Sequence, residues 1–232
     1  MKGFAVGGVD YVIKPFNSIV LEARIRTHLE LKKSKDNLKM KIMELKDINE
    51  KLKIEIERCE YLANRDYLTG IYNRRYVMER LGEELLRFRR NEKPFTIGLF
   101  DLDDFKLFND TYGHECGDFI LISLTKLITE NIRGTDCFAR WGGEEFICML
   151  TETDIYKAEI LINKVKKMIN DTKFIFNNIE MSITFTCGLS QISKDENIDK
   201  CLGRADKALY EGKNNGKNQV ILDSYSLLEL AE

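Results

Sequence analysis

Asp101, Asp103 and Asp104 follow directly on the apolar run Thr96-Ile97-Gly98-Leu99-Phe100. An apolar strand buried on both faces and ending in acids sets carboxylates at the edge of a sheet, where divalent-metal and phosphate chemistry is commonly sited. The two-residue period of a strand puts Asp101 and Asp103 on one face and turns Asp104 away. A second pair of acids, Glu144 and Glu145, follows Gly142-Gly143 between the apolar runs Cys137-Phe138-Ala139 and Phe146-Ile147-Cys148-Met149-Leu150. Two short apolar runs joined by Gly-Gly predict a β-hairpin, because glycine accepts the positive φ of a tight primed turn. Taken alone, this pattern also fits an ordinary solvated hairpin tip. If the hairpin lies beside the strand, two carboxylate sources converge on one Mg²⁺ with room left for phosphate oxygens and water. Nucleotidyl transfer uses that arrangement.

The elements that must position these acids follow from periodicity and punctuation. From Arg65 onward the sequence predicts a capped helix from about Asn73 to Arg90, a strand Phe95 to Phe100 entered at Pro94, and a helix from about Cys116 to Asn131. The acidic hairpin at 137–150 comes next. A helix Asp154 to Asn170, a strand Met181 to Ser190, a helix Ile198 to Lys213 and a strand Gln219 to Leu222 complete an α/β domain over 65–223, with 224–232 as a tail.

Between 17 and 64 no proline or glycine occurs, and Leu31, Leu38, Leu45, Leu52 and Cys59 recur every seven residues. With these at d, the a positions are Lys35, Ile42, Asn49, Ile56 and Ala63, a pattern that favours a parallel two-stranded coiled coil. The alternative is a single amphipathic helix lying on the domain. Lys32, Lys39, Lys46 and Lys53 all fall at e, and Lys41 would face Lys46 of a partner, so the coil is marginal and suits a switchable linker. Between Glu30 and Glu60, nine Lys or Arg residues meet eight Asp or Glu residues, spread evenly, so no basic DNA-reading region stands out.

Composition narrows the classes. The 232 residues carry a net charge of −2, which gives no electrostatic case for general nucleic-acid affinity. No long apolar run and no signal-peptide pattern occur, so the expectation is a cytoplasmic chain without membrane insertion. Cys59, Cys116, Cys137, Cys148, Cys187 and Cys201 form no C-x-x-C pair and have only two histidines to join them. Neither a zinc site nor a disulfide framework is indicated, and Cys148 and Cys187 are expected as small buried hydrophobes.

Two family resemblances add to this reading. Gly7-Gly8-Val9-Asp10-Tyr11-Val12-Ile13-Lys14-Pro15-Phe16, ahead of a helix, resembles the last strand and helix of a response-regulator receiver domain, with Tyr11 to Ile13 as the strand. Residues 1–16 are therefore expected to be its C-terminal remnant. Lys14 matches the lysine that contacts a phosphorylated aspartate on an earlier strand. No such strand precedes it here, so the chain as given is not expected to receive a phosphoryl group by that route. Asp66-Tyr67-Leu68-Thr69-Gly70-Ile71-Tyr72-Asn73-Arg74-Arg75, Phe100 to Lys106, Asn109-Asp110, Gly113-His114, Gly117-Asp118, Arg140 to Phe146, and Ala208 to Lys213 with Asn215 to Asn218 resemble the GGDEF family of diguanylate cyclases, with every motif in order.

The second resemblance implies a palm-like, ferredoxin-like central antiparallel sheet flanked by helices, and condensation of two GTP into cyclic di-GMP with release of pyrophosphate. It implies that Asp101, the Leu102 carbonyl and Glu144 hold Mg²⁺, with Mn²⁺ as a substitute. Glu145 would support the site, and Glu144 would assist deprotonation of the ribose 3′-hydroxyl. Asn109 and Asp118 would read guanine, since a carboxylate accepts from the ring N1–H and the exocyclic amine, a pairing adenine cannot offer; His114 would lie nearby. Lys106, Lys213 and Lys217, with the backbone N–H groups of Asp104 and Phe105, would meet the β- and γ-phosphates, and Gly142 and Gly143 would let the substrate approach. Asp103 is left as an orienting or structural residue.

One half-site binds one GTP and the product is twofold symmetric, so the resemblance implies facing protomers joined through the coil. Arg133 and Asp136 stand at the spacing of the family's inhibitory site for cyclic di-GMP, with the plain alternative of a turn salt bridge. The third contributor falls by ungapped count on Lys164, which lacks the arginine fork and so predicts weaker inhibition. The competing functional classes are a catalytically silent GTP or cyclic di-GMP receptor signalling through the coil and, less favoured by Asn109 and Asp118, a cyclase using ATP.

Overall fold

Apolar residues that alternate along strands and recur every three to four along helices must face one another across layers, and from Tyr72 onward they do. The computed structural model describes residues 7, 10–12, 14, 15 and 17–229. The rest of the receiver-like segment and residues 230–232 of the tail lie outside the described residues. Tyr11 and Val12 carry no strand, since among the described residues no neighbouring strand offers them a ladder.

Contacts divide the chain into residues 1–59 and 60–232. Helix α1, Ser18–Asn64, is 47 residues long with no buried residue. Its leucines at 31, 38, 45 and 52 are 56–60 % exposed, an unpartnered apolar stripe repeating along about 32 Å of helix.

In the second unit, β1 (Tyr72–Asn73), α2 (Arg74–Asn91), β2 (Thr96–Leu102), α3 (Phe105–Tyr112), α4 (His114–Asn131), β3 (Cys137–Gly142) and β4 (Glu145–Leu150) are followed by α5 (Ile155–Asp171), β5 (Phe174–Phe176), β6 (Ile179–Met181), β7 (Phe185–Gln191), α6 (Ile198–Asn214), β8 (Val220–Leu222) and α7 (Ser224–Glu229). The main sheet runs β1-β3-β4-β2-β7-β8. Its four central strands are antiparallel, and the edge pairs β1–β3 and β7–β8 are parallel.

Helices cover both faces. On one, Phe100, Leu102, Phe146, Cys148 and Leu150 join residues of α3, α4 and α5 such as Phe105, Ile120, Leu124 and Ile162. On the other, Ile97, Leu99, Ile147 and Met149 meet Val77, Leu81 and Leu85 of α2 and Cys201, Ala205 and Leu209 of α6. Burial of each such Val, Leu, Ile, Phe or Met side chain contributes about 1.5–3 kcal/mol. Because β2 and β4 are sandwiched, period two forces Asp101 and Glu145 onto the α2–α6 face and Leu102 onto the opposite one.

Several boundaries differ from expectation. Asn73 caps α2, its side chain accepting from the Tyr76 amide. β2 starts at Thr96 and runs to Leu102, because both neighbours pair with it that far or to Asp101. α4 starts at His114, and α3 precedes it as a separate helix. The strand expected over Met181 to Ser190 is two pieces: Met181 ends the small β5–β6 hairpin, and β7 begins at Phe185. The tail from Ser224 is helical. Cys116, Cys137, Cys148, Cys187 and Cys201 are all buried, and Cys59 is exposed. No described helix is long and apolar enough to cross a membrane.

Candidate active site

The acidic hairpin turns on fewer residues than the sequence suggested. β3 ends at Gly142 and β4 begins at Glu145, so Gly143 and Glu144 make the turn, and only Gly143 takes a positive φ, 52°. Glu145 is therefore a strand residue. Its Cα faces that of Asp101 across the β2–β4 ladder, which puts two carboxylates on one face as direct neighbours. The hairpin is held from outside itself. Arg140 donates through Nε to the Gly143 carbonyl at 2.8 Å and through Nη1 to Asp66 at 3.0 Å, both side chains being 14 % exposed. Asp66 also accepts from the amide and hydroxyl of Thr69.

At the end of β2, four oxygens gather around one cation. The Lys213 ammonium lies 2.6 Å from Asp101 Oδ1, 2.9 Å from Asp103 Oδ1, and 3.3 Å from the carbonyls of both Asp101 and Leu102. Asp103 is the fixed point of this group: its other bonds come from the hydroxyls of Thr184 and Thr186 on and beside β7, and from the Asn218 amide. Burial opposes its charge, but the two threonines and Lys213 outweigh that and hold its carboxyl below the usual range. Asp101 moves the other way. Burial raises its pKa, and Glu144 and Asp103 add to that against the pull of Lys213. Glu145 is likewise raised by partial desolvation and by Asp101, Glu144 and Asp206, with Arg74 opposing. A cleft of about 490 Å³ opens beside them, lined by Asp101, Glu145, Lys213 and α6 residues including Asp206 and Tyr210.

A divalent cation fits these residues, since the ammonium is already a cation gathered by carboxylate and carbonyl oxygens. Among the described residues no three Asp, Glu, His or Cys side chains form a metal-binding group by themselves. A metal here would thus draw on the Leu102 carbonyl and on ligands brought by a substrate.

The second part of the site lies where α3 meets α4. Asn109 packs so closely on Gly117 that a Cβ there would stand 1.9 Å from its Oδ1. That oxygen is the one buried side-chain polar atom left without a hydrogen-bond partner among the described residues. His114 and Asp118 are exposed on the first turns of α4, with Gly113 turning the chain between the helices.

The sequence-expected residues thus form separate groups. Asp101, Leu102, Glu144, Glu145 and Lys213 come together at the end of the sheet, while Asn109, His114 and Asp118 share the α3–α4 junction. Lys217 pairs with Asp104 at 2.5 Å, and Lys106 is exposed beside the buried Phe105. Gly142 and Gly143 are exposed at the hairpin tip. At the expected inhibitory site, Asp136 accepts from the Arg133 and Thr151 amides and so ties the turn before β3 to the end of β4; the alternative reading, a turn salt bridge between the Arg133 and Asp136 side chains, is not formed among the described residues. The Arg133 side chain and Lys164 are solvent-exposed. Sequence reasoning missed Asp206 and Arg74 beside Glu145, and the threonine seat of Asp103. Only Asp206 carried a signal, sitting one helical turn before Tyr210 on the face that points to Lys213.

A helix-covered sheet with acids at one strand end and at a facing hairpin defines an α/β domain with a carboxylate cluster at the edge of its sheet. Residues 63–219 match the family model described as diguanylate cyclase, GGDEF domain, and the chain belongs to that family. It is 35 % identical over 170 residues to diguanylate cyclase A of Treponema denticola, covering 72 % of this chain and 46 % of that protein. It is 29 % identical over 224 residues to response regulator PleD of Caulobacter vibrioides, covering 95 % of this chain and 46 % of PleD. The chain spans about half the length of these curated relatives. Its fold is similar to the coiled coil and GGDEF domain of DgcB from Caulobacter crescentus, solved in complex with c-di-GMP. That match has a TM-score of 0.75 at 23 % identity and covers 80 % of this chain and 98 % of that one.

Proposed function

We propose that this chain is a diguanylate cyclase, condensing two GTP into cyclic di-GMP and two pyrophosphates between two facing copies. The observation that carries this reading is the cation cradle of Asp101, Asp103 and the Leu102 carbonyl beside Glu144 and Glu145. Family membership and the named cyclase relative support it.

Asp101, the Leu102 carbonyl and Glu144 are the groups that would hold Mg²⁺ or Mn²⁺, which when bound neutralises charge on the triphosphate. In the reaction, each 3′-hydroxyl oxygen bonds to the α-phosphorus of the other GTP. The bond from that phosphorus to the β-phosphate oxygen breaks, pyrophosphate leaves, and the hydroxyl proton passes to a base, the role assigned to Glu144. Glu145, held opposite Asp101, keeps the region negative and supports the metal ligands. Asn109 and Asp118 bind guanine, and the Asn109 Oδ1, buried against Gly117 without a hydrogen-bond partner, supports this because turning the amide toward a ligand N–H satisfies it. Lys106 and Lys217, with the amides at Asp104 and Phe105, bind the outer phosphates. Arg133, Asp136 and Lys164 bind the product and inhibit.

The coil over 17–64 brings the second copy, a role supported by its unpartnered leucine stripe. The response-regulator relative, matched over nearly the whole chain, supports a receiver-like origin for the segment ahead of α1. The silent-receptor alternative is disfavoured because the residues needed for turnover, Asp101, Asn109, Asp118 and Glu144, are all in place. The test is incubation with GTP and Mg²⁺ with products resolved by mass, beside Glu144→Gln. Cyclic di-GMP from the unaltered chain alone is expected. Binding of GTP or cyclic di-GMP without turnover would favour the receptor.

A further inference from the structure

The same oxygens are claimed twice. Asp101 and the Leu102 carbonyl are the groups expected to hold the metal, and both are bonded to the Lys213 ammonium, at 2.6 and 3.3 Å. A dication within bonding distance of these oxygens would stand a few ångströms at most from Nζ, where Coulomb repulsion in a partly desolvated site excludes joint occupancy. Lys213 is well suited to yield. Its charge sits on a flexible four-carbon stem with three rotatable donors, and it projects from the last turn of α6, so the ammonium can turn without any change in backbone. Asp103 does not need to move with it, since Thr184, Thr186 and the Asn218 amide keep its carboxylate in place.

We propose that Lys213 is an internal counter-cation that occupies the metal place, neutralising Asp101 and Asp103 until the metal arrives, and that metal entry turns the ammonium out toward the triphosphate. The inference rests on the metal site proposed above and deepens it. Lys213 is then a positioning residue whose charge serves two places in turn, and nucleotide phosphates favour metal loading by accepting the displaced ammonium. The chain alone should bind metal weakly, and metal and nucleotide together cooperatively.

Two measurements test this on the full chain. The first is Mn²⁺ binding without nucleotide, followed by electron paramagnetic resonance, for the unaltered chain, Lys213→Met and Lys213→Arg, each checked for folding by circular dichroism. Loss of the competing charge should tighten Mn²⁺ binding by about tenfold or more in Lys213→Met, while Lys213→Arg stays close to the unaltered chain. Equal or weaker binding by Lys213→Met overturns the proposal. The second needs no variant. Amine labelling of the unaltered chain, mapped by mass spectrometry, should show Lys213 protected and should rise several-fold as Mg²⁺ alone is raised to the concentration that displaces Mn²⁺ from the chain, with exposed Lys93 as the internal reference; labelling indifferent to Mg²⁺ at that concentration overturns it. A third sample, the unaltered chain with Mn²⁺ and a non-hydrolysable GTP analogue, separates the two ideas. Mn²⁺ retained there while the Lys213 results are negative leaves the metal site standing and removes the counter-cation, whereas no Mn²⁺ in any sample removes both.

Discussion

At the residue scale, the site gathers Asp101, Glu144 and Glu145, like charges that repel one another. Asp101 faces Glu145 directly, a like-charge cross-strand pair that costs stability unless a cation joins it. Lys213 is the cation on one side of that pair, bonded to Asp101 and Asp103, while Arg74 offsets Glu145 on the other. At the α3–α4 junction, proposed above to bind guanine, packing sets the position of Asn109: Gly117 is required because Asn109 fills the space a side chain would take. Gly117→Ala should therefore displace the Asn109 amide and raise the KM for GTP by about tenfold or more, with the fold kept and kcat changed less. Steady-state kinetics with GTP checks this, and an unchanged KM would show that Asn109 does not touch the base.

At the element scale, the hairpin is tied to the turn that opens the domain. Asn73 caps α2 through Oδ1 and donates through Nδ2 to the carbonyls of Ala63 and Arg65, while Arg140 joins the hairpin to Asp66. Burial disfavours the Asp66 charge, yet bonds from Thr69 and Arg140 overcome it and hold the carboxyl below its usual range. A depressed carboxyl contributes stability above its unfolded value, near pH 4, and loses it as pH falls through the lower folded value. Asp66→Asn should cost about 1–3 kcal/mol at pH 7, and the gap from the unaltered chain should close as the pH drops below about 4. Urea unfolding at several pH values measures both.

Much of this architecture was legible. The heptad run without glycine or proline gave α1, Asn73 gave a cap, and an apolar run ending in acids gave β2 and its carboxylates. What was not legible was short or distant. Phe105 to Tyr112 is an eight-residue helix ending in Asn-Asp-Thr-Tyr, which reads as a turn, and Asn177-Asn178, both left-handed, make a hairpin whose strands are only three residues long. The bond from Lys213 to Asp101 spans 112 residues, beyond any local pattern.

At the scale of the whole molecule, one chain presents one set of acids and one α3–α4 junction, whereas the proposed reaction needs two of each. The leucine stripe of α1 supplies a surface on which a second copy would lie, and its marginal charges suit a dimer that forms and separates. The register has a built-in reporter. Cys59 falls at d, where a parallel partner sets its own Cys59 opposite. It is also the only exposed cysteine, while burial pushes the thiols of Cys137 and Cys201 up to about 11 and about 12 and leaves them unreactive. Mild oxidation should thus give a covalent dimer on non-reducing gels that Cys59→Ser abolishes. An antiparallel pairing would give none.

The central claim, that two half-sites on two chains make one product, is tested most directly by the initial rate of cyclic di-GMP formation, resolved by mass, as a function of chain concentration at saturating GTP and Mg²⁺. The rate should rise with a slope approaching the second power of concentration where monomers prevail, and become linear once the dimer is populated. A rate strictly proportional to concentration through the range where sedimentation shows monomer, or no cyclic di-GMP where it shows dimer, would contradict the account.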